Sequence, residues 1–249
     1  MLTRQAEEYL EAIARLEEKG ALVTTSALAS EHGVSPPSVT EMVRRLSKQG
    51  LVSYEARGRV ALTDRGRTMA RSVVRRHRLW ERFLHDVLRV EWDRVYEEAC
   101  QLEHVTSPIV EEQLARAVGI NTTCPHGHAI PTDTGPMISP ATISLVDLPP
   151  SQPARVANVK GDDPALLRQL GRAGIRPGAL IEVSSSSPGT GDILVKAGGN
   201  SYPLPLEVAR EVRVVLVGPK ELEPRTVSLA ALVPGEAGMV EEVMPGKTS

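Results

Sequence analysis

Two short helical patterns joined by a tight turn constrain the fold of this chain more than any other feature. A helix capped at Thr24 or Thr25 ends at Gly33. Glycine suits this position because the residue that ends an α-helix often adopts the left-handed backbone conformation. Ser35 then caps a second helix that has proline at its first position, and apolar residues at helical spacing continue that helix to Gly50. Two short helices connected in this way are typical of a helix-turn-helix.

The flanking segments extend this motif to a winged helix. Residues 3–19 carry an apolar stripe at helical spacing. Residues 51–62 hold two β-prone runs on either side of Arg57-Gly58-Arg59, which predicts a hairpin with a basic tip. We therefore place a winged-helix domain at residues 1–64. Residues 1–82 carry 15 Lys and Arg against 10 Asp and Glu, a balance that favours a polyanionic partner.

The second helix of the motif and the hairpin tip predict a DNA-binding surface. Short polar side chains at a helix N-terminus can approach base edges, and basic side chains suit phosphates. The candidate DNA-binding residues are Ser35, Pro37, Ser38, Thr40, Arg44, Lys48, Arg57 and Arg59. A winged helix used only as a protein–protein module remains the alternative.

The composition changes at residue 121, with 6 Gly and 3 Pro before it and 14 Gly and 16 Pro from there on. Before this point the pattern predicts a long helix over residues 65–88 and two more near 93–105 and 108–118, in a helical domain at 65–137. A linker at 138–150 follows. Short β-prone runs with one helix at 164–173 then predict a small β-barrel at 151–217. The predicted fold is multidomain and mainly α, with a C-terminal β domain.

The last segment, 218–249, is predicted to be a tail that partly repeats the start of the β domain. Residues 228–243 follow the pattern of residues 144–159 at an offset of 84, with Ser228 matching Ser144 and Val240 matching Val156. Genuine repetition and chance similarity of two strand–turn–strand pieces are both open. A second copy of this length could not close a core of its own.

Side chains that ligate metals recur at helical spacing. Residues three or four apart share one face of a helix. The groups are Glu8 with Glu11, His77 with Glu81, and Cys100 with Glu103 and His104, followed by Cys124 and His126 in the proline-rich segment. Each pair alone has an ordinary explanation as surface or core, but together they predict a transition-metal site.

Several segments resemble the diphtheria-toxin-repressor family of metal-dependent regulators, which has iron- and manganese-responsive branches. RRHRLWERFL and RVYEEACQLEHVTS resemble its metal-binding helices, EEYLEAIARLEEKG and VSPPSVTEMVRRLSKQGLV its winged helix, and RVANVKGDDPALLRQLGRAGIRPGALIEV the SH3-like third domain of its longer members. The resemblance covers the chain to about residue 217. It implies a winged helix, a helical dimerisation domain and an SH3-like barrel.

The resemblance also implies two metal sites per subunit. The primary site would use Cys100, Glu103 and His104 with Glu8, which stands where manganese-type members have aspartate and iron-type members have methionine; Glu11 matches a ligand of short manganese-type members. The second would use His77, Glu81, Cys124, His126 and either Asp162 or Asp163. An iron-type ligand of that site aligns with Tyr96, so the iron-type version is incomplete here.

A metal-activated repressor of metal-uptake genes is the function that the resemblance implies. Its partners would be a second copy of the chain and a double-stranded DNA operator, with the metal holding the dimer in the operator-binding geometry. Carboxylates such as Glu8 and Glu103 suit Mn²⁺, whereas Cys100 and Cys124 suit softer ions. We favour Mn²⁺ as cofactor, and an Fe²⁺-dependent repressor of iron-uptake genes is the alternative.

Other classes of protein fit the sequence less well. No apolar run approaches the ~20 residues of a membrane helix, the start MLTRQAEEYL is too polar for a signal peptide, and two cysteines cannot form a disulfide scaffold. We expect a cytoplasmic protein that binds neither a membrane nor a small organic substrate. A metalloenzyme is the rival from another class, but no HExxH, Walker or nucleophile-elbow pattern is present, so we predict no enzymatic activity. Trp80, Phe83 and Trp92 are candidates for the dimer surface or for the helical core.

Overall fold

The structure, a computed structural model, describes residues 2–55, 58–119, 123–132, 141–186 and 191–218. Arg57 at the predicted hairpin tip and the predicted repeat at 228–243 lie outside the described residues. In the part that is described, no helix is long and apolar enough to cross a membrane.

The N-terminal part is a winged helix, as predicted. Its elements are α1 (Arg4–Glu18), α2 (Thr25–His32), α3 (Pro36–Lys48), β1 (Val52–Tyr54) and β2 (Val60–Leu62). The Oγ of Ser35 accepts from the amide of Ser38 at the start of α3, and Gly33 ends α2 at a φ of 62°. β1 and β2 pair antiparallel, and Thr24 bridges to Arg59 beside them. Local capping signals thus fix both ends of the turn between α2 and α3.

The helical part follows directly. It contains α4 (Asp64–Asp86), α5 (Val95–Leu102), a 3₁₀ turn (Glu103–Val105) and α6 (Pro108–Ala117). The helix predicted near 93–105 therefore starts later and tightens at its end, which redirects Glu103 and His104 relative to a continuing α-helix. Gly66 lies in the first turn of α4, where a Cβ would collide with the carbonyl oxygen of Leu51. The start of α4 therefore packs directly on the winged helix.

The C-terminal part is a six-stranded antiparallel sheet with two helices. Its elements are β3 (Ile143–Ser144), β4 (Pro153–Val159), α7 (Pro164–Arg172), β5 (Leu180–Ser186), β6 (Asp192–Ala197), β7 (Asn200–Pro205), α8 (Leu206–Glu211) and β8 (Val212–Leu216). The strand order is β3-β8-β4-β5-β6-β7. The predicted fold class is confirmed: a winged helix and a helical domain are followed by an SH3-like β domain.

Two details of this sheet differ from the sequence prediction. Residues 143–148 were assigned to the linker, yet β3 pairs with β8, and Leu145 and Leu148 are buried in the core of the sheet. β7 and α8 have no counterpart in the sequence prediction, and β7 contains Pro203 and Pro205. β7 lies at the edge of the sheet, where a strand tolerates proline.

Trp92 lies in the core of the β domain and not on a dimer surface. It is 4% exposed and packs among the buried residues of the sheet, although it precedes α5 in sequence. Its indole N–H donates to the carbonyl of Pro125, and the guanidinium carbon of Arg176 lies 5.1 Å from its ring centroid. Trp80 and Phe83 are half-buried on α4, with ring centroids 5.8 Å apart. Both predicted places for Trp92, the dimer surface and the core of the helical domain, are therefore wrong for this side chain.

Candidate metal centre

Four elements meet at one buried group of ligand-type side chains. α4 contributes His77 and Glu81, the end of α5 and the 3₁₀ turn contribute Cys100 and Glu103, and α1 contributes Glu11. The segment at residues 123–132 closes the group from the side of the β domain. The predicted residues from distant parts of the chain are thus brought together.

The first ligand cluster consists of His77, Cys100 and Glu103. One donor atom from each lies within 4.8 Å of the others. Nδ1 of His77 is 2.7 Å from Oε2 of Glu103 and 4.0 Å from Sγ of Cys100. Imidazole, thiolate and carboxylate at these separations form a donor set for a divalent transition metal.

The second ligand cluster consists of Glu81, Cys124 and His126, all buried, and is equally compact. Nδ1 of His126 is 2.8 Å from Oε1 of Glu81, while its Nε2 is 3.1 Å from the carbonyl oxygen of Trp92. Both ring nitrogens therefore face acceptors, an arrangement that suits a doubly protonated imidazole.

His77 joins the two ligand clusters. Its Nδ1 faces Glu103, and its Nε2 lies 3.6 Å from Oε1 of Glu81. Among the described residues, Nε2 of His77 and Oε1 of Glu11 are buried without a hydrogen-bond partner. Buried polar atoms are rarely left unpaired, and an ion is one way to satisfy them. The donor set and these two free atoms fit a bound cation.

α1 reaches the centre through Glu7 more closely than through Glu8. Nδ1 of His104 is 2.8 Å from Oε2 of Glu7, and its Nε2 is 3.0 Å from Oε1 of Glu103. Glu8 lies 3.9 Å from His104 and accepts from Arg4 at 2.9 Å. Glu7 is absent from the residues predicted as ligands, although Glu7 and Glu11 are four residues apart and so share one face of α1.

The grouping differs from the one that the family resemblance implies. His77 clusters with Cys100 and Glu103, whereas the resemblance groups it with Cys124 and His126. Asp162 pairs with Arg15, and the Oδ1 of Asp163 accepts from the amide of Ala165 at the start of α7.

Backbone hydrogen bonds position Cys124 and His126, one within their own segment and one from the β domain. The amide of Cys124 donates to the carbonyl of His128 at 2.8 Å, and the amide of Val159 in β4 donates to the carbonyl of His126 at 3.0 Å. Gly127 has a φ of 86°, and a Cβ there would collide with the carbonyl oxygen of Ala157. The glycine between the two histidines is thus needed for the close approach to β4.

Burial and neighbouring histidines shift the pKa values of the buried carboxyl groups in this centre. Burial opposes the ionisation of Glu81, but His126 and His77 hold its pKa well below the usual range. Burial likewise opposes the charge on Glu103, yet hydrogen bonds from His104 and His77 lower its pKa to about 2. Burial raises the pKa of Glu11 to about 7, despite the neighbouring His77. Glu81 and Glu103 are therefore anionic near neutral pH, whereas Glu11 takes up a proton in that range.

Metal affinity should rise with pH. Burial disfavours charge on His126, but Glu81 and Cys124 raise its pKa to about 10, so the ring is protonated at pH 7. A cation must displace that proton, and its apparent affinity should increase by about tenfold per pH unit for each proton released. Mn²⁺ titrations between pH 6 and pH 8, in buffers of different ionisation enthalpy, measure both the affinity and the proton count. An affinity independent of pH would contradict the protonated state of His126.

The predicted DNA-binding residues lie mainly on the free side of α3. Ser35, Pro37 and Ser38 at its start are exposed, and so are Arg44 and Lys48 further along. The opposite side of the helix is buried in the winged-helix core. This leaves a basic face available to a polyanion.

Two further predicted residues complete this picture. The Thr40 hydroxyl donates to the carbonyl of Pro36 at 2.9 Å, and Arg59 is exposed on the hairpin. A buried transition-metal donor set beside a winged helix with a basic recognition face defines a metal-responsive DNA-binding protein.

Comparison with known proteins agrees with this class. Residues 1–60 match the model for the iron dependent repressor N-terminal DNA binding domain, and residues 63–132 match the model for its metal binding and dimerisation domain. Residues 143–216 match the FeoA domain. The chain belongs to the iron-dependent repressor family, which is the diphtheria-toxin-repressor family of metal-dependent transcriptional regulators.

The similarity to known relatives extends along nearly the full length of those relatives. The iron-dependent repressor IdeR of Mycobacterium tuberculosis is 34% identical over 226 residues, which span 86% of this chain and 97% of the relative. The diphtheria toxin repressor of Corynebacterium diphtheriae is 30% identical over 223 residues, with 86% and 97% covered. A solved manganese-dependent transcriptional repressor in complex with manganese superimposes with a TM-score of 0.80 at 33% identity, covering 85% of this chain and 100% of the other.

Proposed function

We propose that this protein is a Mn²⁺-activated transcriptional repressor of metal-uptake genes. The observation that carries the proposal is the contact of α1 with the buried donor set: Glu7 lies 2.8 Å from His104, and Glu11 lies 3.9 Å from His77. α1 belongs to the winged helix, whereas both histidines belong to the helical domain. Glu7 and Glu11 would thus bind the metal and also connect the winged helix to the helical domain.

Two metal sites per subunit are proposed. One would be held by Cys100, Glu103, His104 and the α1 carboxylates Glu7, Glu8 and Glu11, and the other by His77, Glu81, Cys124 and His126, with His77 able to serve either. When bound, the cation supplies the positive charge that balances these carboxylates and thiols. Asp162, which the family resemblance implies as a ligand of the second site, is left out of both sets because its carboxylate pairs with Arg15.

Coupling to DNA follows from the position of α1. Holding this helix against the helical domain fixes the recognition helix α3, and a dimer must present two such helices at the half-site spacing of its operator. Binding that favours one arrangement of α1 therefore shifts the population toward the DNA-binding form. Typical coupling energies of about 1–3 kcal/mol correspond to roughly 5- to 150-fold tighter DNA binding.

The donor set supports Mn²⁺ ahead of Fe²⁺. Carboxylates outnumber thiols around His77 and His104, and oxygen donors suit Mn²⁺. The two thiols, Cys100 and Cys124, also fit Fe²⁺. An Fe²⁺-dependent repressor is therefore the second candidate, in line with the name of the mycobacterial relative, an iron-dependent repressor.

Homodimerisation is supported by apolar side chains left exposed on the helical domain. Val105, in the 3₁₀ turn, is 79% exposed, and Ile109, four residues later in α6, is 74% exposed. Large exposed apolar patches commonly mark protein interfaces, and these two side chains are candidates for such a patch. We infer a cytoplasmic homodimer with a double-stranded DNA operator as its partner and a regulatory, not enzymatic, role.

Mn²⁺-dependent DNA binding through α3 is the test of this function. In mobility-shift titrations against DNA upstream of metal-uptake genes, Mn²⁺ should tighten binding by at least roughly fivefold. Replacing both Arg44 and Lys48 with alanine should weaken binding and reduce the slope of log affinity against log salt by about two, because two phosphate contacts are lost.

Matched controls separate DNA contact from metal sensing. The Arg116→Ala variant removes an exposed basic residue of α6 whose partner is Glu112, and it should leave the salt slope unchanged. Fe²⁺ under anaerobic conditions is titrated in parallel. If no fragment is shifted in a metal-dependent manner, the repressor function is refuted; a response to Fe²⁺ alone would replace Mn²⁺ with Fe²⁺.

A further inference from the structure

Arg15 joins the three parts of the described chain at one guanidinium group. It lies in the last turn of α1, and its side chain is only 15% exposed. One terminal nitrogen donates to the hydroxyl of Tyr96 in α5, and the other pairs with the carboxylate of Asp162, between β4 and α7. The guanidinium also lies over the Tyr96 ring, 4.7 Å from its centroid. Arginine is suited to such a position because its planar fork can hold two partners at once.

The partners of Arg15 adjoin the metal centre. The ring of Tyr96 packs against that of His77, with the centroids 4.9 Å apart. Arg15, Tyr96 and Asp162 line a cavity of about 220 Å³ together with Glu11 and His77. A shift of Arg15 would therefore change the packing around the donor atoms of His77 and Glu11.

A second contact ties the same β-domain segment to α1. Nζ of Lys160 donates to the carbonyl of Lys19, just beyond the end of α1, at 3.1 Å. The backbone amide of Lys160 donates to the carbonyl of Glu211 at 2.8 Å, which anchors this segment to the β domain. Residues 160–162 thus contact the C-terminal end of α1 at two places, through Lys160 with Lys19 and through Asp162 with Arg15.

We propose that Arg15 is a positioning residue of the metal centre. Held by Tyr96 and Asp162, it fixes the C-terminal end of α1, and the rigidity of the helix carries that restraint to the carboxylates one and two turns earlier. The third domain then acts on the metal centre through Arg15, and Asp162 anchors that arginine instead of ligating the metal. This inference rests on the metal-binding function proposed above.

The test is Mn²⁺ affinity of the full chain, measured by calorimetry for the native protein, Arg15→Met, Asp162→Asn and the double variant. Loss of a group that orients metal ligands costs about 10- to 100-fold in affinity. We expect roughly a tenfold loss for either single variant. The double variant should be no weaker than either, because both changes remove the same link.

Two further variants distinguish positioning from general stability. Arg67→Met removes another arginine bound to α1, which pairs with Glu17 at 2.6 Å, away from the third domain; its Mn²⁺ affinity should stay within about twofold of native. Arg15→Lys keeps the charge and should recover part of the loss. Amide exchange in α1 should accelerate in Arg15→Met and not in Arg67→Met.

The outcomes are separable. Native-like Mn²⁺ affinity in Arg15→Met would overturn this inference alone. A further loss when Asp162→Asn is added to Arg15→Met would also overturn it, since Asp162 would then act on the metal independently. A native chain that binds no divalent metal would overturn the proposed function and this inference with it.

Discussion

Replacing Glu103 with glutamine should abolish metal-dependent DNA binding. Glu103 is 1% exposed, and its two carboxylate oxygens lie 2.7 Å from His77 and 3.0 Å from His104, so it connects the histidines of both proposed sites. The amide keeps the size of the side chain but removes the negative charge, and it places an N–H donor against one of the rings. We expect Mn²⁺ affinity to fall by at least about 100-fold, beyond the loss typical of a residue outside the ligand set.

Calorimetry and mobility shift measure this effect together. Glu98→Gln is the matched control, because Glu98 is exposed on α5 and carries the same chemistry away from the centre. Its Mn²⁺ affinity and its DNA shift should equal those of the native chain. Retention of a Mn²⁺-dependent shift by Glu103→Gln would show that the regulatory metal is bound elsewhere.

Replacing Trp92 with alanine should destabilise the β domain by about 3–5 kcal/mol, the usual cost of truncating a large buried aromatic side chain. The loss combines the buried ring surface, the hydrogen bond to Pro125 and the contact with Arg176. Because Pro125 lies between Cys124 and His126, the second ligand cluster should also loosen. Chemical denaturation followed by circular dichroism gives the change in unfolding free energy.

A surface variant provides the comparison. Leu88→Ala removes an apolar side chain that is 57% exposed near the end of α4, and it should change the unfolding free energy by less than about 0.5 kcal/mol. A Trp92→Ala protein of native stability that fails to dimerise would return Trp92 to the dimer surface and contradict its place in the core.

Elements with local signals could be predicted from the sequence. Ser35 before proline and Gly33 in the left-handed conformation set the turn between α2 and α3, because capping acts over three or four residues. β7 could not be predicted from local sequence, because its prolines are tolerated only in an edge strand. Which strand lies at the edge depends on the strand order of the whole sheet. The 3₁₀ turn at Glu103–Val105 is a local tightening that periodicity does not specify.

The candidate site divides in the same way. Spacing identified His77 with Glu81, and Cys100 with Glu103 and His104, since residues three or four apart share one face of a helix. Spacing could not identify which pairs meet. His77 and Glu103 are 26 residues apart in sequence, and Glu7 and His104 are 97 apart.

The sequence by itself determined the class of each domain, the types of ligand and the basic recognition helix, because these depend on residue type and short-range periodicity. Only the tertiary structure decided that His77 joins two ligand clusters, that Trp92 belongs to the core of the β domain, and that Arg15 meets Asp162 across 147 residues of chain. Such contacts arise when separate elements pack together, and no local pattern along the chain encodes the distance between their side chains.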